Sequence, residues 1–189
     1  GITKINAYAF YNCDQLTSVT IPSTVENIGS YAFENCSSIT NLKLIYGIKN
    51  IGYSAFEDCD SLTEVTIPGS VSSMGYYVFA SCDSLEKVTF PEGITTTGSY
   101  MFYKCTALKN VYIPNTITQV NANAFDGCTA LENVYLSGGL EDWLGITFDS
   151  SNAKSQPLYY ADNLYFNNEL VIEVVIPESV TKIGIMAFR

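Results

Sequence analysis

A chain of 189 residues with 19 Asp and Glu against 9 Lys and Arg carries a formal net charge of −10. That balance repels nucleic acid and anionic membrane surfaces, because nothing neutralises phosphates. Histidine is absent, which removes the commonest general base and the commonest zinc ligand.

No apolar run approaches the ~18 residues of a spanning helix, and the length suits one domain with a real core. No signal peptide precedes Gly1, so the chain is expected to be mature or a piece of a longer one. It enters within a repeat, with Ile2, Ile5, Ala9 and Phe10 already in register. Phe-x-x-Cys then occurs six times at a spacing of 23 residues. The pairs are Phe10 and Cys13, Phe33 and Cys36, Phe56 and Cys59, Phe79 and Cys82, Phe102 and Cys105, and Phe125 and Cys128. Self-similarity at one fixed period of this length is the mark of a solenoid.

Within a coil the first element is a strand. Thr63-Glu64-Val65-Thr66-Ile67 alternates polar and apolar residues and is rich in β-formers. Pro22, Pro68, Pro91 and Pro114 follow at one column and stop the strand, since proline has no N–H for a ladder. Small polar residues turn the chain. Then come Ile28, Ile51, Met74 and Val120, each followed by Gly or Asn. Gly29, Gly52, Gly75 and Gly98, with Asn6 and Asn121 as substitutes, predict a left-handed backbone at that column. Ile28, Ala32, Phe33 and Cys36 fall at helical spacing and predict about two turns of helix. Identical columns stack, so the strands form a parallel sheet with ~4.8 Å between neighbours.

The repeat breaks after Cys128. Trp143 takes the isoleucine column, Leu144 the glycine column, Phe148 the phenylalanine column and Ser151 the cysteine position. Trp143 and Phe148 are expected to plug the core. The next strand is expected at Val171, with Val174, Ile176, Ile183, Ala187 and Phe188 back in register. Asn167-Asn168 between apolar runs predicts a β-hairpin turn. Residues 1–148 are therefore read as regular coils, 149–170 as a loop and hairpin insertion with its own small core of Tyr159, Tyr160, Tyr165 and Phe166, and 171–189 as a resumed coil. All belong to one solenoid domain, a fragment of a longer array. No polar caps cover its ends, which leaves end-to-end self-association open.

The cysteines all share one inward column beside Phe and Ala, and read as buried free thiols. Stacked Cα atoms ~5 Å apart would tolerate a disulfide, and a thiolate row supplies no tetrahedral metal site. No cofactor or metal is implied. Outward strand positions have no core duty: Lys43, Thr66, Thr89, Tyr112 and Tyr135 in one column, Glu64 and Lys87 in its neighbour. Tyr112 and Tyr135 would stack across adjacent strands, either to stabilise the sheet or to anchor a partner. A second tyrosine column, Tyr8, Tyr31, Tyr77 and Tyr100, would cover the helical edge.

The columns spell Leu-x-x-Val-x-Ile-Pro-x-x-Val-x-x-Ile-Gly-x-x-Ala-Phe-x-x-Cys. This resembles the BspA-like leucine-rich repeat family, also called the Treponema pallidum type, over nearly the whole chain. The resemblance implies an α/β solenoid, a right-handed superhelix of 23-residue coils with a parallel sheet on one face and short helices on the other. It implies a bacterial or protist protein, secreted or at the cell surface, that binds a protein or glycan and has no catalytic residues. The expected role is an extracellular adhesion-type interaction module; the alternative is a structural spacer of a larger surface protein.

Overall fold

The computed structural model describes residues 1–149, 151–184 and 187–188. Its strands follow from alternation. In Ser18–Ile21, Val19 and Ile21 point inward and are buried, while Ser18 and Thr20 face solvent. This strand pairs in parallel with Asn41–Leu44, each residue opposite its counterpart one repeat on. Glu64–Thr66, Lys87–Thr89, Asn110–Pro114 and Asn133–Ser137 pair the same way in a second sheet. The ladder is interrupted between Asn41–Leu44 and Glu64–Thr66.

A second side of each coil is a two-residue strand. Lys4–Ile5, Asn27–Ile28, Asn50–Ile51 and Ser73–Met74 form one parallel ladder, and Gln119–Val120 with Thr147–Phe148 another. The glycines that follow are not left-handed, contrary to expectation. Close approach is what requires them. A Cβ on Gly29 would sit 2.4 Å from the Ala7 nitrogen, and one on Gly52 2.5 Å from the Ser30 nitrogen. Asn121 is accommodated because its side chain and N–H bond Thr96 and Thr97 of the preceding coil.

The third side corrects the helical expectation: Ser30–Cys36 and its equivalents are series of turns, not helices. Alternate N–H groups leave the coil. Tyr31, Phe33 and Asn35 donate to the carbonyls of Tyr53, Ala55 and Glu57 at 2.8–3.0 Å, and Ser54, Phe56 and Asp58 repeat this one coil later. The intervening groups close local turns, as Cys36 N–H does to Phe33 O at 3.3 Å. A helix would send its bonded N–H groups to carbonyls four residues back in the same segment; here alternate ones go to the next coil. Left-handed backbone lies on this side, at Tyr31 (φ 60°) and Asn35 (φ 57°) and at their counterparts such as Tyr77 (φ 60°) and Ser81 (φ 53°).

Between the three sides runs one core. Phe33, Phe56, Phe79, Phe102 and Phe125 are buried, and successive rings from Phe10 onward stack at 4.9–6.0 Å. Each buried ring contributes roughly 1.5–3 kcal/mol by transfer alone.

The break after Cys128 differs from expectation in register. Leu140–Gly145 is a helix, and its Trp143 is fully buried with the indole N–H donating to Ala187 O at 2.8 Å. Phe148, not Trp143, pairs opposite Val120 and so takes the isoleucine column. Both aromatics lie at the core, 5.4 Å apart, as the plug expectation has it. Ser151 is exposed and bonded to Asp149, so it is no stand-in for cysteine. The strand expected at Val171 lies earlier. Asn163–Phe166 pairs in parallel with Asn133–Ser137, opposite Asn133 to Leu136. It then turns through Asn167 and Asn168, both left-handed (φ 51° and 68°), into Glu169–Leu170. The hairpin exists, and its first arm continues the solenoid sheet. Leu158, Ala161 and Leu164 join the main core rather than a separate one. Val171–Ile176 forms no ladder, and Ile172 and Val175 are exposed. Ile185, Met186 and Arg189 of the expected resumed coil lie outside the described residues.

Candidate interaction face

The outward face of the long sheet is built from parallel strands in exact repeat register, so each side chain stands beside its own counterpart. Tyr112, Tyr135 and Tyr165 occupy opposite positions on three successive strands. Their rings stack at 4.5 Å for each pair, with interplanar angles of 5° and 18°. Lys87 Nζ lies 5.5 Å from the Tyr112 ring centre, closing one end of the row as a cation–π contact. Leu170, exposed, stands opposite Tyr165 and borders the other end.

A second row runs beside the first. Asn133 Nδ2 donates to Asn110 Oδ1 at 3.0 Å, and Asn163 Nδ2 donates to Asn133 Oδ1 at 3.1 Å. Each amide keeps its register by bonding its neighbour. Burial, and then the flanking Tyr112 and Tyr165, push the Tyr135 hydroxyl above its ordinary pKa, which leaves it protonated and able to donate.

The remaining expected positions lie on the same face toward the N-terminus. Thr66 faces Thr89, which faces Tyr112. Lys87 Nζ reaches Glu64 at 3.7 Å, both exposed. Lys43 is exposed but belongs to the separate sheet of Ser18–Ile21 and Asn41–Leu44, across the interruption. Tyr165 was not among the expected residues. Its signal was present: Asn163-Leu164-Tyr165-Phe166 repeats the pattern of Asn110-Val111-Tyr112-Ile113 and Asn133-Val134-Tyr135-Leu136. The irregular spacing concealed it.

The cysteines are structural in geometry. All six are free, and five are buried. Each buried thiol donates to the phenylalanine carbonyl of the preceding coil: Cys36 to Phe10 at 3.0 Å, Cys82 to Phe56 at 3.3 Å, Cys105 to Phe79 at 3.0 Å. Burial raises their pKa values, so the thiolate needed for nucleophilic work is disfavoured. Among the described residues no group of three or more His, Cys, Asp or Glu is placed to hold a metal ion.

The family model for the BspA type leucine rich repeat region matches residues 3–132 in 6 copies. The chain belongs to the BspA-type leucine-rich-repeat family. Solved structures agree. A leucine-rich-repeat protein of T. pallidum is 32% identical with a TM-score of 0.67, over 76% of this chain and 70% of that one. One from Bacteroides ovatus is 31% identical with a TM-score of 0.53, over 71% of this chain and 43% of that one. One from Eubacterium ventriosum, at 21% identity and a TM-score of 0.61, shares the fold over 88% of this chain and 46% of that one. This BspA-type chain thus spans under half the length of the last two. No curated protein matches it. No helix among the described residues is long and apolar enough to cross a membrane.

Proposed function

We propose that this BspA-type chain is a non-catalytic protein-interaction module, displayed outside the cell, that docks a protein on the outward face of its long sheet. Tyr112 and Tyr135 anchor the partner, extended by Tyr165. Thr66, Thr89, Glu64 and Lys87 form the polar margin, and Lys43 extends it across the interruption. The observation that carries this reading is the row of three stacked tyrosines on a face with no core duty.

The same stacking favours a protein over a glycan. Sugars pack on open aromatic faces, yet both faces of Tyr135 are taken by its neighbours. Ring edges and hydroxyls remain, and these suit a protein surface with its own hydrogen-bonding groups. Held rings also lose little side-chain freedom on docking, which is how rigid aromatics act as anchors.

The test is capture of purified extracellular-matrix proteins and glycans by the chain and by the Tyr112→Ser/Tyr135→Ser double variant. The chain should capture a protein, and the folded double variant should hold it at least about tenfold more weakly. Undiminished capture by the double variant, or capture of glycans alone, rejects the site.

A further inference from the structure

A second tyrosine surface lies on the turn side of the coils. Tyr8 and Tyr31 stack at 4.8 Å, as do Tyr77 and Tyr100. Where the third coil has Ser54 in that column, Tyr53 fills the gap, 5.3 Å from Tyr31 and 5.6 Å from Tyr77. Tyr76 adds a ring 6.3 Å from Tyr53. The belt therefore crosses five coils. Its middle is open: Tyr53 and Tyr76 are exposed, and their rings are tilted at 45° rather than stacked, so ring faces are available there.

Two features flank the belt. On one side is a shallow groove of about 490 Å³ floored by Gly29, Gly52 and Gly75. The backbones of successive coils meet closely along this floor, where a Cβ on any of the three glycines would press on the coil before. Asn27 and Asn50 line it, and Lys4 stands at its N-terminal end. On the other side are Glu34, Glu57, Asp58, Asp60 and Asp83, close enough to act on one another and, through Glu34 and Glu57, on Tyr31. Four acidic side chains of the molecule have cations: Glu26 has Lys49, Glu64 has Lys87, Glu86 has Lys109 and Asp126 has Lys154. Among the described residues these five carboxylates have no ion pair. At the far end of the belt the chain already seats a cation on a ring, with Lys104 Nζ 5.2 Å from the Tyr103 centre.

We infer that the groove, the Tyr53–Tyr76 rings and the Glu34–Glu57 carboxylates form one docking surface for an extended, lysine- or arginine-rich segment of a partner protein. The backbone of that segment lies along the glycine floor. Its long cationic side chains cross the tyrosine faces, gaining cation–π attraction, and end at carboxylates that lack cations of their own. The surface is separate from the sheet face and stands or falls independently of it.

The experiment is fluorescence anisotropy of a labelled oligolysine titrated with the chain at physiological salt. Binding should weaken roughly tenfold in Glu34→Gln/Glu57→Gln and in Tyr53→Ala/Tyr76→Ala. Glu92→Gln/Glu132→Gln removes the same charge elsewhere and should change binding less than about twofold. Tyr112→Ser/Tyr135→Ser should also leave it unchanged, which separates this surface from the sheet face. Absence of binding overturns the inference. So does equal weakening by the two Glu pairs, which would mean net charge alone, or no effect of the tyrosine pair.

Discussion

A methyl group on Gly52 would press within 2.5 Å of the Ser30 nitrogen, which is backbone and cannot swing aside. Gly52→Ala should therefore destabilise the chain by about 3 kcal/mol, beyond an ordinary surface change; denaturant unfolding measures it. The thiols test the same tight stacking. Cys36, Cys59, Cys82, Cys105 and Cys128 are fully buried and bonded to the coil before, whereas Cys13 is partly exposed. Titration without reductant should find one thiol reacting readily in the native state and all six after denaturation. Inward columns such as these were legible as residues, because a buried apolar position repeats its identity whenever its neighbour does. The reason for glycine was not, since a residue needed for positive φ and one needed for close approach look the same in a sequence.

At the scale of the element, the turn side decides a pH dependence. Burial, followed by Asp58, raises the Glu57 carboxyl; burial and neighbouring acids likewise raise Glu34, Asp58 and Asp60. A carboxyl with a raised folded pKa binds more protons folded than unfolded between the two values, so stability falls as pH rises through that window. The thermal midpoint should be higher near pH ~5 than at pH 7. Glu57→Gln should raise the midpoint at pH 7 by about 2 °C and narrow the difference between the two conditions; thermal unfolding at both pH values checks it. The helix expected here failed for a definite reason. Apolar residues three and four apart suit both a helix and a series of turns. Only the destination of the N–H groups distinguishes them, and Phe33 N–H goes to Ala55 of the next coil.

On the scale of the whole molecule, each coil contacts its neighbours only, so protection should be greatest in the middle of the stack. Hydrogen exchange should find the amides of Phe56, Phe79 and Phe102, bonded to the next coil, slowest. Those of Ile172 to Val175, outside any ladder, should exchange fastest. Equal rates in both regions would contradict this order.

The period of 23 residues by itself determined the stacking, the parallel register of the strands and the inward columns of Phe and Cys, while the Asn167–Asn168 pair marked its own turn. The physical reason is that identical columns at constant spacing can all be buried together only if coils stack in register. Tertiary structure decided what spacing does not encode. It routed alternate peptide groups of the turn side between coils, and it placed glycine where backbones meet. It let Phe148 take the column that counting assigns to Trp143, and it set Tyr165 beside Tyr135 across an irregular loop. Those choices depend on which hydrogen bond or which ring lies nearest after folding, and distance along the chain does not measure that.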